Sequence, residues 1–342
     1  MNFNRIYNNS RSVSNNLIRS FSVGKCENAE IKSKPKTAIL MLNMGGPTKV
    51  EQVGDYFKLG PWIAKRRTPE VMKKYSEIGG GSPILKWSNL QGELMTKELD
   101  KISPETGPHK HYVAFRYADP LTDITLQQLE ADGIEHTVIF SQYPQYSCAT
   151  SGSSFNAIWN YYKNRGLPKN MKLSIIDRWP THPLLARTFA EKITEQLNQF
   201  DEKVKKDVLI LFSAHSIPLK NLNRGDPYPS PFTDEAIKGY VKQGKKHFII
   251  VPIAFVNEHI ETLHELDIEY CDELAHELKI DKIRRAAAPN DHPLFIKALA
   301  DIVKTHLHSK IPVSRKFETR CPHCVNKNCY SSKIWFSENC RL

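Results

Sequence analysis

Between Glu258 and Glu269 the sequence places five carboxylates and two histidines in twelve residues, Glu258-His259-Ile-Glu261-Thr-Leu-His264-Glu265-Leu-Asp267-Ile-Glu269. Read as an α-helix, Glu261, Glu265 and Glu269 recur every four residues on one face, with Glu258 three residues ahead on the same stripe. Like charges stacked in this way repel, so a plain surface helix gains nothing from them. A line of carboxylates that handles protons or a divalent cation does. Spacing alone leaves a solvated acidic face equally open. A second candidate is His215, in Phe212-Ser-Ala-His-Ser-Ile-Pro218. Its imidazole titrates near neutrality and can ligate a metal, although a single histidine at a strand end is more often a hydrogen-bonded structural residue. The third is Cys321-Pro-His-Cys324-Val-Asn-Lys-Asn-Cys329. Three thiolates so spaced suit zinc or an iron–sulfur cluster. The spacing leans towards zinc, with His323 or Cys340 as fourth ligand; an iron–sulfur cluster would recruit a distant thiol such as Cys148.

Groups of this kind need a rigid frame, and the apolar pattern supplies one. Strands are expected at 37–44, 112–117, 137–142, 173–177, 208–214 and 248–255, most of them near-continuous apolar runs, as strands buried on both faces should be. Amphipathic helical segments alternate with them at 88–101, 122–132, 183–199, 233–243 and 270–279. The alternation predicts an α/β fold with parallel sheets flanked by helices. No internal repeat is evident. Polar clusters sit where the strands end: Asn43-Met44-Gly-Gly-Pro47, Arg116-Tyr117, Gln142-Tyr-Pro-Gln-Tyr146, Asp177-Arg-Trp-Pro-Thr-His182, Ser213-Ala-His215 and Asn257-Glu258-His259. In open parallel sheets ligands bind beyond the carboxyl ends of the strands, so six clusters on one rim point to one cleft. Gly79-Gly-Gly-Ser82 before a helix, with Lys65-Arg66-Arg67 upstream, offers an anion site or simply a tight, basic turn.

Composition bounds the rest. The 342 residues suffice for two α/β domains, and no run of about 18 apolar residues spans a membrane. The net charge of +11 suits anionic ligands or an anionic lipid surface. No basic helix with interleaved aromatics points to nucleic acid. Arg5, Arg11, Arg19 and Lys25 precede the first acid, Glu27, in a segment rich in Asn and Ser, the pattern of a mitochondrial transit peptide over residues 1–30. Seven cysteines, an odd number, argue against a disulfide framework, and Cys26, Cys271 and Cys340 read as free thiols.

Taken together, Leu42-Asn-Met-Gly-Gly-Pro47, Ala64-Lys-Arg-Arg-Thr-Pro69, Ile78-Gly-Gly-Gly-Ser-Pro83, Phe115-Arg-Tyr117, Gln142-Tyr-Pro-Gln-Tyr-Ser-Cys148, Asp177-Arg-Trp-Pro-Thr-His182, Ser213-Ala-His-Ser216, Asn223-Arg-Gly-Asp-Pro-Tyr228 and His259-Ile-Glu-Thr-Leu263 resemble the mitochondrial ferrochelatases, from about residue 36 to the C-terminus. The resemblance implies insertion of Fe2+ into protoporphyrin IX with release of two protons. It implies two Rossmann-like (class II chelatase) domains, at 36–180 and 181–310, and a C-terminal cysteine-cluster extension at 311–342. The implied catalytic set is His215, Glu261, His182, Glu258 and His259, with Glu265 and Glu269 as a path for protons or iron. Met44, Arg67, Tyr75, Ser82, Arg116 and Tyr117 correspond to porphyrin contacts. Cys148, Cys321, Cys324 and Cys329 correspond to ligands of a [2Fe–2S] cluster, which displaces zinc. A homodimer on the matrix face of the inner mitochondrial membrane is implied as well. The chain departs from the family in carrying Glu258 where aspartate is usual. It also lacks an apolar lip at 60/61 and a helix–strand segment at 229/230. A chain so shortened would alternatively bind porphyrin without metallating it.

Overall fold

The computed structural model describes residues 35–56, 61–215, 231–319 and 327–342, with side chains for all of these except 55, 56 and 61–67. Among the described residues, seven strands make two wholly parallel sheets. The first holds β1 (Thr37–Asn43), β2 (His109–Phe115), β3 (His136–Ser141) and β4 (Lys172–Ile176) in the order β2-β1-β3-β4. The second holds β5 (Leu209–Ser213), β6 (His247–Pro252) and β7 (Lys282–Arg285) in that order. Every residue of β1 is buried, as its unbroken run Thr-Ala-Ile-Leu-Met-Leu-Asn requires. The short, charged β7, Lys-Ile-Arg-Arg, is the strand that hydrophobic pattern does not disclose.

Helices α1 (Pro61–Glu77), α2 (Ile84–Ile102), α3 (Thr122–Ala131), α4 (Ser153–Tyr162), α5 (Pro183–Leu197), α6 (Thr233–Lys242), α7 (Pro293–His308) and α8 (Lys327–Asn339) pack on these sheets. One core serves both. Met41 and Phe140 of the first sheet meet Met95 and Leu99 of α2, Phe189 of α5, Phe295 and Leu299 of α7, and Ile249 and Val251 of the second sheet. The opposite face of the first sheet is covered by α3, α4 and the C-terminal α8, where Phe155 meets Phe336 and Tyr162 stacks on Trp335 at 6.3 Å.

The two halves repeat each other in topology, as two Rossmann-like domains imply, although no repeat is evident in the sequence. Helices α3 and α6 are entered through Pro120-Leu-Thr-Asp123 and Pro231-Phe-Thr-Asp234 and lead to β3 and β6. Helices α5 and α7 both open on His-Pro-Leu, at His182 and His292. The repeat lies in topology and in these short entries, while the core residues between them differ, so self-similarity is faint in sequence. One element is unmatched. In the first half β2 lines the outer edge of β1; among the described residues nothing corresponding flanks β5. There Ile210 and Phe212 are 38% and 62% exposed.

Candidate active site

The chain leaves β6 at Pro252 and passes through Phe255 to the segment that opened the sequence reading. Glu261–Leu274 is a π-helix, not the α-helix the spacing suggests. Widened turns of this kind concentrate at functional sites. The change of period breaks the expected stripe. Glu261 faces His215, with its Oε2 at 2.9 Å from Nδ1. Glu265 accepts a hydrogen bond from the Tyr270 hydroxyl at 3.3 Å. Glu269 turns towards α1 and meets Lys74 at 2.6 Å.

The His215–Glu261 pair stands in the wall between two cavities. A larger cavity of about 610 Å3, within the usual size of small-molecule sites, is lined by Met44, Tyr75, Ser82, Tyr143, Ile253 and His259 among others. A second, of about 590 Å3, takes in Asp234, Glu265 and Tyr270. Both share Phe255, His215 and Glu261. The hydrogen bond from Glu261 raises the His215 pKa against the opposing effect of burial, and the Glu265 charge adds to it. Burial works to raise the Glu261 pKa, but His215 and His259 carry it below the ordinary carboxylate value. Glu265 moves the other way, raised by burial and then by the Glu261 charge. Burial lowers the His259 pKa; its ring lies 4.3 Å from that of Phe255, and its Nδ1 has no hydrogen-bond partner among the described residues.

Several predicted site residues converge here: Met44, Tyr75, Ser82, His215, His259 and Glu261 all line the larger cavity. Others stand elsewhere. His182 caps α5 and points Nε2 at Asp301 of α7 at 3.0 Å, while its repeat counterpart His292 reaches back to Glu191 of α5 at 3.4 Å. The two histidines form a reciprocal lock between α5 and α7, remote from the His215 pair. Glu258 is also turned away: its Oε1 accepts from Arg285 Nη1 at 2.9 Å and from the Ala288 amide at 2.8 Å. Arg116 donates to Ser153 at 3.2 Å and lies over the Tyr117 ring; neither lines the cavity. The Arg67 side chain, like Cys321 and Cys324, lies outside the described residues. The glycine run is explained locally: Gly79 and Gly80 adopt φ of +104° and +99°, a Cβ on Gly81 would strike the Thr48 carbonyl, and the Ser82 amide already donates to Pro47 at 2.7 Å.

Sequence reading missed Tyr143, whose hydroxyl donates to Asn43 Oδ1 at 2.8 Å beside the Met44 amide. Its place in the polar cluster after β3 was the available signal. It also missed an amide network below the cavity. Ser88 donates to Gln142 at 3.0 Å, Gln142 to Gln91 at 3.1 Å, Gln91 to the Val256 and Asn290 carbonyls, and Asn257 to Ser88 at 3.3 Å. These buried groups tie α2 and β3 of the first half to the loops after β6 and β7 of the second. A further cross-link closes the rim: His264 Nε2 lies 2.6 Å from Glu77 of α1, and its Nδ1 lies 3.0 Å from Glu269.

Of the four sulfur candidates, Cys148 opens a short π-turn (Cys148–Gly152) that runs directly into α4, and Cys329 lies on α8, which packs against α4. Cys340 is buried in the core beside α8, and its thiol pKa is pushed up to about 12 by burial. Cys271 is likewise raised to about 12 by burial.

The ferrochelatase family model matches residues 36–232 and 229–307, in two pieces that overlap at 229–232. The mitochondrial ferrochelatase of Drosophila melanogaster is 58% identical over 357 aligned positions, covering 90% of this chain and 93% of that one. Those of Gallus gallus and Homo sapiens are 48% and 46% identical, covering 88% and 84% of their lengths and 89% and 90% of this chain. The 357 positions exceed the 342 residues of this chain, so the fly relative carries residues with no counterpart here. Among solved structures, SirB from Bacillus subtilis with Fe3+ aligns at a TM-score of 0.47 and 10% identity over 79% of this chain and 95% of that one, too loosely to assign any residue.

Proposed function

Because the chain belongs to the ferrochelatase family, we propose that the cavity beside His215 receives protoporphyrin IX and that the His215–Glu261 pair takes up its pyrrole protons. The chain is an enzyme of haem synthesis that inserts Fe2+ into protoporphyrin. The comparisons favour that activity over porphyrin binding alone. Metallation removes two N–H protons while Fe2+ exchanges water for pyrrole nitrogens, so bases must stand close to the macrocycle. With Nδ1–H donated to Glu261, the neutral His215 imidazole keeps its Nε2 lone pair free to accept the first proton. The second passes to the carboxylates behind it. Glu265, whose pKa is raised, is suited to hold a proton and release it. Fe2+ approaches by the acidic cavity that Glu265 lines. Met44 and His259 bound the macrocycle face, and Tyr75, Ser82 and Arg67 receive its carboxylates; Arg116 and Tyr117 act from beside the pocket. His182 and Glu258 support the frame.

The observation that carries this reading is the 2.9 Å His215–Glu261 contact in the wall shared by an apolar-sided and an acidic cavity. Replacing His215 by alanine is expected to lower haem formation by about 10²–10⁴-fold while porphyrin fluorescence still reports binding. Full turnover in that variant would remove the role.

A [2Fe–2S] cluster held by Cys148, Cys321, Cys324 and Cys329 fits the packing of α8 on α4, which brings the elements of Cys148 and Cys329 together. When bound, such a cluster supplies electron-transfer chemistry and a covalent tie between the extension and the first half. A transit peptide at residues 1–30 and the mitochondrial names of the relatives support a mitochondrial location. The +11 charge suits peripheral contact with the anionic inner membrane on its matrix side, and a homodimer completes the proposal.

A further inference from the structure

We propose that Arg285 is a positioning residue for the reaction: it clamps both flanks of the His259–Glu261 segment and thereby aims Glu261 at His215. The inference rests on the reading of His215–Glu261 given above. Arg285 closes β7 and is 8% exposed at its side chain. Its Nε and Nη2 grip both oxygens of Asp267 at 2.7 and 2.8 Å, and its Nη1 reaches Glu258 at 2.9 Å. Glu258 precedes Glu261 by three residues and Asp267 follows it by six. One guanidinium therefore holds the chain before the π-helix and the helix itself a turn beyond. The planar fork is the only common cation that can make the bidentate contact and still serve a second carboxylate.

The surroundings extend the same fixation. The Glu258 carboxylate also accepts the Ala288 amide, the Glu258 amide donates to Asn290 Oδ1 at 3.0 Å, and the Asn290 amide donates to the Val256 carbonyl at 3.0 Å. Residues 256–258 are thus laced to the loop after β7. Without the clamp, residues 256–258 stay tied to the loop after β7, but His259 and the start of the π-helix are held locally only by turn bonds such as that of the His259 amide to Thr262 Oγ1 at 3.0 Å, and the guanidinium no longer joins the two flanks. The departure from the family aspartate gains a purpose: the extra methylene of Glu258 gives it the reach for Arg285. None of these groups lines either cavity, so Arg285 acts through Glu261 and does not touch substrate.

The test compares the full-length chain with Arg285→Met, Arg285→Lys and the triple variant Arg285→Met/Glu258→Gln/Asp267→Asn. The readouts are kcat and KM for protoporphyrin, taken separately, and thermal unfolding. Misplacing a reacting group by about 1 Å can cost about 10²-fold. Both single variants are expected to lose kcat by about tenfold to a hundredfold, with KM for porphyrin changed less than twofold. Arg285→Met also leaves two carboxylates without their cation, so its Tm falls. The triple variant removes those charges and is expected to regain Tm without regaining kcat. Recovery of kcat together with Tm in the triple variant, or unchanged kcat in Arg285→Lys, overturns the proposal. If neither methionine variant folds, Arg285→Lys, which keeps the charge and loses the fork, decides alone. Turnover of the unaltered chain tests the underlying reading separately: absence of haem there sinks that reading, while normal turnover with an insensitive Arg285 sinks only this one.

Discussion

Glu261 and His215 set each other's protonation, and this has a measurable sign. The contact raises the His215 pKa above its ordinary 6.5. The imidazole must be neutral to take a pyrrole proton, so kcat should climb with pH through a midpoint above that value. Glu261→Gln removes the partner that raises it and leaves the burial that lowers it, so the midpoint should move to lower pH, with reduced maximal rate. A pH profile of kcat that keeps its midpoint in this variant would show that His215 is not the group being titrated. The residues of this pair were legible in the sequence because both sit directly beyond apolar strands, where parallel sheets present ligands. Arg285 was not legible. Its strand is charged and four residues long, and nothing in Lys-Ile-Arg-Arg tells which arginine turns inward. The acidic stretch held a similar trap: Glu258 and Asp267 look like members of a catalytic row, yet both face one buried cation.

At the scale of elements, the π-helix is what separates the acidic residues into different jobs. An α-helical stripe would stack Glu261, Glu265 and Glu269 in one line. Instead Glu261 meets His215, Glu265 enters the second cavity, and Glu269 crosses to α1. A helical period read from spacing alone has no access to this, because the widened turn depends on contacts from outside the helix. Lys74 and Glu77 of α1 are among those contacts. Burial works to lower the Lys74 pKa, but Glu269 more than offsets it, and the His264 hydrogen bond lowers the pKa of Glu77. His264→Ala removes this partner from two carboxylates and should lower stability, read as a reduced midpoint in urea denaturation. High salt should shrink the difference, since both carboxylates are partly solvated. A variant as stable as the parent would mean that α1 is held to the π-helix by other contacts. Among the elements the apolar pattern marks, β1 and α3 match almost to the residue, whereas α1, α4, α7 and α8 are not marked and the helix expected at 270–279 lies mostly within the π-helix.

For the whole molecule, the asymmetry between the halves matters most. Among the described residues the first sheet has four strands, with β2 beyond β1; the second has three, and β5 at its edge leaves Ile210 and Phe212 exposed. Open apolar edges template association with other chains. Ile210→Asp should therefore reduce concentration-dependent scattering while leaving haem formation within about twofold, because that residue lines neither cavity. Unchanged scattering would show that the edge is protected in solution. The join at 229/230, where the resemblance marks a missing helix–strand segment, lies outside the described residues; the repeat, with β5 in the place of β1 and α6 in the place of α3, is visible in the topology and not in the sequence.

The amide network beneath the cavity bears on how such a protein can be recombined. Ser88, Gln91 and Gln142 come from the first half, Asn257 and the Asn290 carbonyl from the second, and each satisfies another inside a site closed to water. A chimaera that joins the first half of this chain to the second half of a relative must therefore carry these residues across as a matched set. Exchange of the halves without it leaves buried amides unsatisfied at the seam, so the natural unit of inheritance is the pair of halves together with their shared floor.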